Sequence, residues 1–192
     1  MAEEIEGQVR EGEELDAERE GRRQLALAQV RQYPDPVLRL RAREVTEFDD
    51  ALASLVDRMG RLMNDARGVG LAAPQLGLSQ RVLVYQIAED SPVVALVNPT
   101  IAESSEETET GDEGCLSLGA ATIAVPIERP VRITVEAVDA AGEPIRAEAE
   151  GLEARVIQHE LDHLDGVLTI DRTTPEAKRD ALAKLRPQPV LG

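Results

Sequence analysis

The stretch that most constrains this chain is His159-Glu160-Leu161-Asp162-His163, an H-E-x-x-H pattern inside a helical periodicity running from about Leu152 to Leu164. On a helix, residues four apart share a face, so both imidazoles can reach one metal ion. Glu160 lies beside that site without sharing the face, which places it to take a proton from a metal-bound water. Five residues with three fixed recur by chance, and a core helix with two satisfied histidines would read the same way. These are the only two histidines in the sequence. Around them, Leu152, Val156, His159 and His163 make one stripe, and Ile157, Leu161 and Leu164 another. Arg155, Gln158, Asp162 and Asp165 make a narrow polar one. A helix apolar on most sides is a buried helix, so sheets are expected around it. Gly166 marks its end.

The 192 residues suffice for one domain with a substantial core. With two Tyr, one Phe and no Trp, that core must be built from Leu, Val, Ile and Ala. A formal net charge of −16 argues against a broad grip on nucleic acid, DNA included, which needs a basic surface. One Cys excludes an internal disulfide framework. In a reducing compartment a lone Cys reads as buried, catalytic or metal-ligating. No basic segment followed by an apolar one suggests a signal peptide, and no apolar run approaches the roughly 20 residues of a membrane helix. The expectation is a cytoplasmic protein with no membrane partner.

Residues 1–22 carry nine acidic and three basic residues and read as a solvated, disordered arm. Residues 23–192 read as a single domain, opening with an N-terminal helical stretch near 24–31. Tyr33-Pro34-Asp35-Pro36 punctuates a turn. Residues 49–66 form an amphipathic helix, with Leu52, Leu55, Val56, Met59, Leu62 and Met63 at helical spacing and Asp49 as N-cap. Gly68-Val69-Gly70-Leu71-Ala72-Ala73-Pro74-Gln75 reads either as a tight turn or as backbone passing close to a ligand. It lacks the third Gly and the basic residue of a phosphate loop. Strands are expected over 81–87 and 92–97, with Asn98-Pro99 as a stop and 103–112 as an exposed acidic loop. Glu113-Gly114-Cys115-Leu116-Ser117-Leu118 sets the single Cys at a bend among residues that bury. Alternation predicts strands over 131–138 and 144–150, and 167–170 reads as a short strand. Thr174-Pro175-Glu176 opens a C-terminal helix tinted basic by Lys178, Arg179, Lys184 and Arg186. The class is α+β: antiparallel sheets packed around a central buried helix carrying HExxH, flanked by an N-terminal and a C-terminal helix.

Three separated segments, 68–75, 113–117 and 158–163, together resemble in order and content the three signature motifs of peptide deformylases. The resemblance spans about residues 24–186. It implies removal of the formyl group from the N-terminal formylmethionine of newly synthesised polypeptides, releasing formate. It also implies Cys115, His159 and His163 as metal ligands with water as the fourth, and Fe2+ as the ion, with Zn2+, Ni2+ or Co2+ as substitutes. One thiolate and two imidazoles suit such ions and not Mg2+ or Ca2+. By the same resemblance, Glu160 takes the water's proton and returns it to the leaving amine. The Gln75 side-chain amide and the Leu116 backbone N–H donate to the developing oxyanion. Gly70 pairs its backbone with the substrate peptide, and Val69 and Val156 line an apolar pocket for the methionine side chain. Work on nascent chains brings a transient ribosome contact, with Lys178 and Arg179 as the natural cations.

This sequence departs from the family pattern in three places. Gly119 stands where many members have Pro, and Thr122 and Ile127 stand where common bacterial members carry Arg. Arg129 and Arg155 are cations near by in sequence. Two other readings stay open: an H-E-x-x-H endopeptidase, which would draw a third ligand from downstream acids such as Glu176, and a non-catalytic relative that binds metal or peptide.

Overall fold

Val82-Leu83-Val84-Tyr85 is a run of four apolar residues, every one buried, and it divides its side chains between two cores. Val82 and Val84 face one apolar cluster, while Leu83 and Tyr85 face another. A strand buried on both faces cannot show polar alternation, and it requires cover on each side. The computed structural model describes residues 5–6, 9–10 and 17–185.

Two short strands, β1 (Ile5–Glu6) and β2 (Val9–Arg10), pair antiparallel. Helix α1 (Ala17–Leu27) and a 3-10 turn (Pro36–Arg39) lead to α2 (Asp50–Asp65), whose first turn is capped by Asp49 accepting the Leu52 N–H at 3.0 Å. Then come β3 (Gly70–Ala72), a 3-10 turn (Ala73–Leu76), β4 (Val82–Tyr85) and β5 (Val94–Ser104). Strands β6 (Thr108–Gly114) and β7 (Ala124–Pro130) form a separate two-stranded ribbon, and β8 (Arg132–Val138) and β9 (Pro144–Glu150) return to the main sheet. Helices α3 (Gly151–Leu164), α4 (Thr169–Arg172) and α5 (Pro175–Leu185) end the described chain. The main sheet runs β3-β4-β5-β8-β9, and every strand pairing is antiparallel.

Helix α2 covers one face of this sheet, with Met59 and Met63 packed in the cluster of Leu71, Val82, Val84 and Val97. Helix α3 covers the other, with Val156, Ile157, Leu161 and Leu164 among Leu83, Tyr85, Ile133 and Val135. A third cluster fills the space between the β6–β7 ribbon and α4–α5 with Cys115, Val125, Ile127, Leu168, Ile170 and Ala181. Residues 156–164 are all buried, so α3 has no solvent face over its second half. An α+β architecture of antiparallel sheets and helices is thus present.

Four local expectations change. Residues 17–22, read as the end of the acidic arm, are the first turns of α1; most of that arm lies outside the described residues. Asn98-Pro99 does not stop β5. Asn98 takes a left-handed φ of 52°, and its amide clamps the Val45 backbone in both directions at 2.8 Å. The β5–β8 register skips between Val97 and Thr100, so the proline, which has no N–H to give, sits in a bulge. Residues 108–112, read as part of a loop, belong to β6. Seven β6 residues pair with β7, a strand the alternation did not mark, because the outer part of the ribbon stays exposed. Residues 169–170 are helical rather than extended: Asp171 accepts the Leu168 N–H at 3.0 Å and closes one turn that buries Leu168 and Ile170. Three consecutive buried residues, Leu168, Thr169 and Ile170, carry no period that separates a strand from a single helical turn.

The Asn98 clamp yields a test. Asn98→Ala loses two half-buried hydrogen bonds and strains the left-handed backbone, about 2 kcal/mol together. Thermal melting is expected to fall by about 4–8 °C. Asn98→Gly, which keeps the backbone relaxed, is expected to lose roughly half as much.

Candidate active site

The site is assembled from three segments that the fold brings to one end of α3. The helix supplies His159 and His163 from adjacent turns of one face, with Glu160 beside them. The turn after β6 supplies Cys115. The edge strand β3 and the 3-10 turn that follows supply Gly70 and Gln75. All are buried: Gln75, Cys115 and Glu160 are at 0% exposure, His159 at 4% and His163 at 1%.

Cys115, His159 and His163 each offer one ligand atom, and these atoms lie within 4.8 Å of one another. Cys115 Sγ is 3.3 Å from His163 Nε2. His159 commits Nδ1 to the Glu113 carboxylate at 3.0 Å, which leaves its Nε2 buried with no hydrogen-bond partner. Buried polar atoms ordinarily have partners, so an orphaned ring nitrogen beside a thiol and a second imidazole fits a metal ion. The electrostatics favour positive charge in this pocket. Burial opposes a charged imidazolium at His159, yet the Cys115 sulfur and the Glu113 and Glu160 carboxylates outweigh it and favour positive charge there. Burial, with the charges of His159 and Arg129, pushes His163 toward the neutral ring a metal ligand needs.

Glu160 is seated against Gly70. A Cβ at position 70 would overlap the Glu160 carboxylate, with Cδ 2.9 Å away. The glycine read from the sequence as permitting close approach of backbone therefore admits the chain's own carboxylate. Gln75 is oriented by the backbone: its Oε1 accepts the Ala72 N–H at 2.9 Å, so its NH2 points to Ser117 Oγ at 3.2 Å and toward Cys115 Sγ at 3.9 Å. Leu116 is fully buried next to Cys115. Val69 and Val156 are both buried in the apolar cluster between α3 and the sheet.

A layer of charge backs the ligands, and sequence reasoning assigned it no role. Glu113 accepts from Arg129 at 2.6 and 2.9 Å, from Arg155 at 2.9 Å and from His159. Burial pushes its carboxyl up, but the hydrogen bonds from Arg129 and His159 and their charges prevail and hold it far below the usual carboxylate range. Arg129 also donates to Asp162 at 3.0 Å, and Arg172 donates to Asp162 at 2.6 and 3.1 Å. Arg155, Gln158 and Asp162 of the polar stripe thus turn inward and are paired, while Asp165 at its end is exposed. Of the two departures at arginine positions, Ile127 is 1% exposed within the third apolar cluster, where a charge has no room. Arg129, two residues on and therefore on the same face of β7, is buried in pairs with Glu113 and Asp162. One signal was available: Glu113 directly precedes the Gly-Cys bend, and Arg155 lies one turn before His159.

Residues 27–179 match the family model for polypeptide deformylases. A peptide deformylase of Thermotoga neapolitana is 51% identical over 155 residues, covering 81% of this chain and 92% of that protein. The crystal structure of a peptide deformylase from Legionella pneumophila superposes with a TM-score of 0.77 at 39% identity, covering 81% of this chain and 91% of that one. That of the Thermotoga maritima peptide deformylase does so at 0.72 and 49% identity, covering 76% and 97%.

The three-donor cluster predicts one divalent ion per chain. Elemental analysis of protein purified without oxygen is expected to find it, and Cys115→Ser or His163→Ala is expected to lose most of it. Full metal content in both variants would contradict the assignment.

Proposed function

The chain belongs to the polypeptide deformylase family, and from that premise we infer that it removes the N-formyl group from the N-terminal formylmethionine of newly synthesised polypeptides. It is a hydrolase, and formate is its small product. The observation that carries the site reading is the convergence of Cys115, His159 and His163, beside a Glu160 that Gly70 admits.

We assign the metal to Cys115, His159 and His163, and Fe2+ is the ion we favour, with Zn2+, Ni2+ or Co2+ as substitutes; one thiolate and two imidazoles suit all four. Held there, such an ion would supply Lewis acidity and make a water a stronger acid, with a pKa toward about 7. Glu160 takes the proton of the attacking water and returns it to the amine that leaves. As the formyl carbon becomes tetrahedral, its oxygen gains charge, and donors already aimed at it favour that change. The Gln75 NH2 qualifies because the Ala72 N–H holds the amide in one orientation. The Leu116 backbone N–H is the second donor. Gly70 lies on the edge strand β3, where an extended peptide can add by backbone pairing. Val69 and Val156 line the methionine pocket. Excluding water from this buried site strengthens each of these interactions.

The finer architecture reads the same way. We take α3 as the centre of the fold, supported by the burial of residues 156–164 and by apolar neighbours on β4 and β8. We take residues 23–192 as one domain whose first helix, α1, begins ahead of that boundary at Ala17. An endopeptidase of the H-E-x-x-H type would need a ligand after the helix, whereas here the third donor comes from Cys115, ahead of it. No helix among the described residues is long and apolar enough to cross a membrane, and a cytoplasmic location suits a nascent-chain substrate. For ribosome contact, the exposed Arg179 and the Asp171-paired Lys178 lie on α5.

Formate release from a formyl-Met-Ala peptide tests the activity. Glu160→Gln is expected to lower kcat by about 100- to 10,000-fold with metal still bound, and Gln75→Ala by about 100- to 1,000-fold. No formate from the metal-loaded parent protein, or undiminished turnover in Glu160→Gln, would refute the mechanism. Reversing the charges of Lys178 and Arg179 is expected to reduce co-sedimentation with ribosomes; unchanged sedimentation would remove that contact.

A further inference from the structure

The two histidines ride on one helix, so their mutual spacing is fixed by the helix itself. The sulfur does not. Cys115 follows β6, and its distance from the imidazoles depends on how the β6–β7 ribbon sits against α3. A tetrahedral site with N and S ligands tolerates only a few tenths of an ångström in metal–ligand distance. Something must fix ribbon to helix at that tolerance.

Arg155 is built to do so. It stands one turn ahead of His159 on α3, with only 12% of its side chain exposed. Its guanidinium reaches across to the ribbon and makes three contacts there. Nη1 donates to Glu113 Oε1 at 2.9 Å and to the Ile127 carbonyl at 3.0 Å, and Nη2 donates to the Glu109 carbonyl at 2.8 Å. One planar group therefore grips β6 at two points and β7 at one. The ribbon is shaped to receive it: a Cβ at Gly111 would come within 3.1 Å of Arg155 Cζ. From the other side, Arg129 on β7 donates to Glu113 on β6 and to Asp162 on α3. The two arginines span the same gap in opposite directions and share Glu113, whose other oxygen holds His159.

We propose that Arg155 is a positioning residue for the metal site: its fork locks the ribbon that carries Cys115 against the helix that carries His159 and His163, and so sets the sulfur-to-imidazole geometry. The proposal rests on the metal assignment above. Charge alone does not account for the arrangement, because Glu113 already has Arg129 as a partner. A lysine at 155 would keep the charge but, as a point donor, could not span two strands' carbonyls and a carboxylate.

Arg155→Lys in the full chain tests this. Zn2+ titration of the apo protein against a chelating dye is expected to show affinity about 10- to 100-fold weaker. The Co2+-loaded variant is expected to lose intensity in its thiolate-to-cobalt absorption. In formate release kcat should fall while KM moves less than about two-fold. Gly111→Ala, which removes no charge but crowds Arg155 Cζ, is expected to move all three readings the same way. Arg146→Ala serves as a purely structural comparison: Arg146 bridges Glu103 and Glu136 on the far strands of the main sheet, and its loss should lower melting temperature with parent metal affinity. Parent affinity, parent cobalt spectrum and parent kcat in both Arg155→Lys and Gly111→Ala would overturn the proposal. A parent protein that binds metal, weakens on Arg155→Lys and yet releases no formate would instead overturn the activity and leave the positioning role standing.

Discussion

A carboxylate with no access to water, Glu113, is the constraint on which the rest of this structure depends. Moving an unpaired carboxylate into a low-dielectric interior would cost on the order of 20 kcal/mol in an idealised continuum. Glu113 is at 0% exposure, so partners must surround it, and they are three residues on two elements: Arg129 on the neighbouring strand, and Arg155 and His159 on the helix. Satisfying one charge thus joins the ribbon to the helix. It also fixes one imidazole's orientation, because the nitrogen facing Glu113 must carry the proton and the other is left to coordinate. The pairing gives the site a shape that apolar packing, which has no direction, would not specify.

That network is possible only because the helix is covered. The sheet lies between α2 and α3, with β4 sharing its side chains between them. The ribbon and α4–α5 add a third apolar cluster around Cys115. Water is kept from the ligands, and the interaction of Glu160 with the cluster is strengthened accordingly. The same burial makes each polar contact obligatory, which explains the density of paired charges in an otherwise Val-, Leu- and Ile-built interior. The acidic surface and the arginine-rich interior face are two faces of one charge distribution: the protein carries −16 overall, yet sets Arg81, Arg129 and Arg155 where carboxylates need them.

Where sequence reading went astray, the failures share a cause. Asn98-Pro99 has the composition of a stop, but the Asn98 amide found the Val45 backbone and turned the stop into a bulge. Residues 108–112 lack apolar alternation because that end of the ribbon faces solvent, and residues 168–170 are buried in a run that fits one helical turn as well as a strand. The first two needed a partner distant in sequence to decide them; the last turned on the Asp171 carboxylate three residues on. The departure at Ile127 is of the same kind, because that residue lies in an apolar cluster assembled from β7, α4 and α5; nothing in the structure explains Thr122.

The sequence by itself determined the helix, the spacing of its two histidines, the capped α2, the paired strands 132–138 and 144–150, and the candidate status of Cys115, Gln75 and Gly70. The helix, its histidine spacing, the cap and the strands follow from periodicity, local capping and a short motif, which act within a few residues; the candidate status of Cys115 and Gln75 rests on the family resemblance. Only the tertiary structure decided that one sulfur and two imidazoles meet within 4.8 Å. It alone decided that Gly70 makes room for Glu160 rather than for a ligand alone, and that Glu113, Arg129 and Arg155 form the frame behind them. Burial and charge pairing are properties of surfaces brought together from distant parts of the chain, and no local pattern encodes which surfaces will meet.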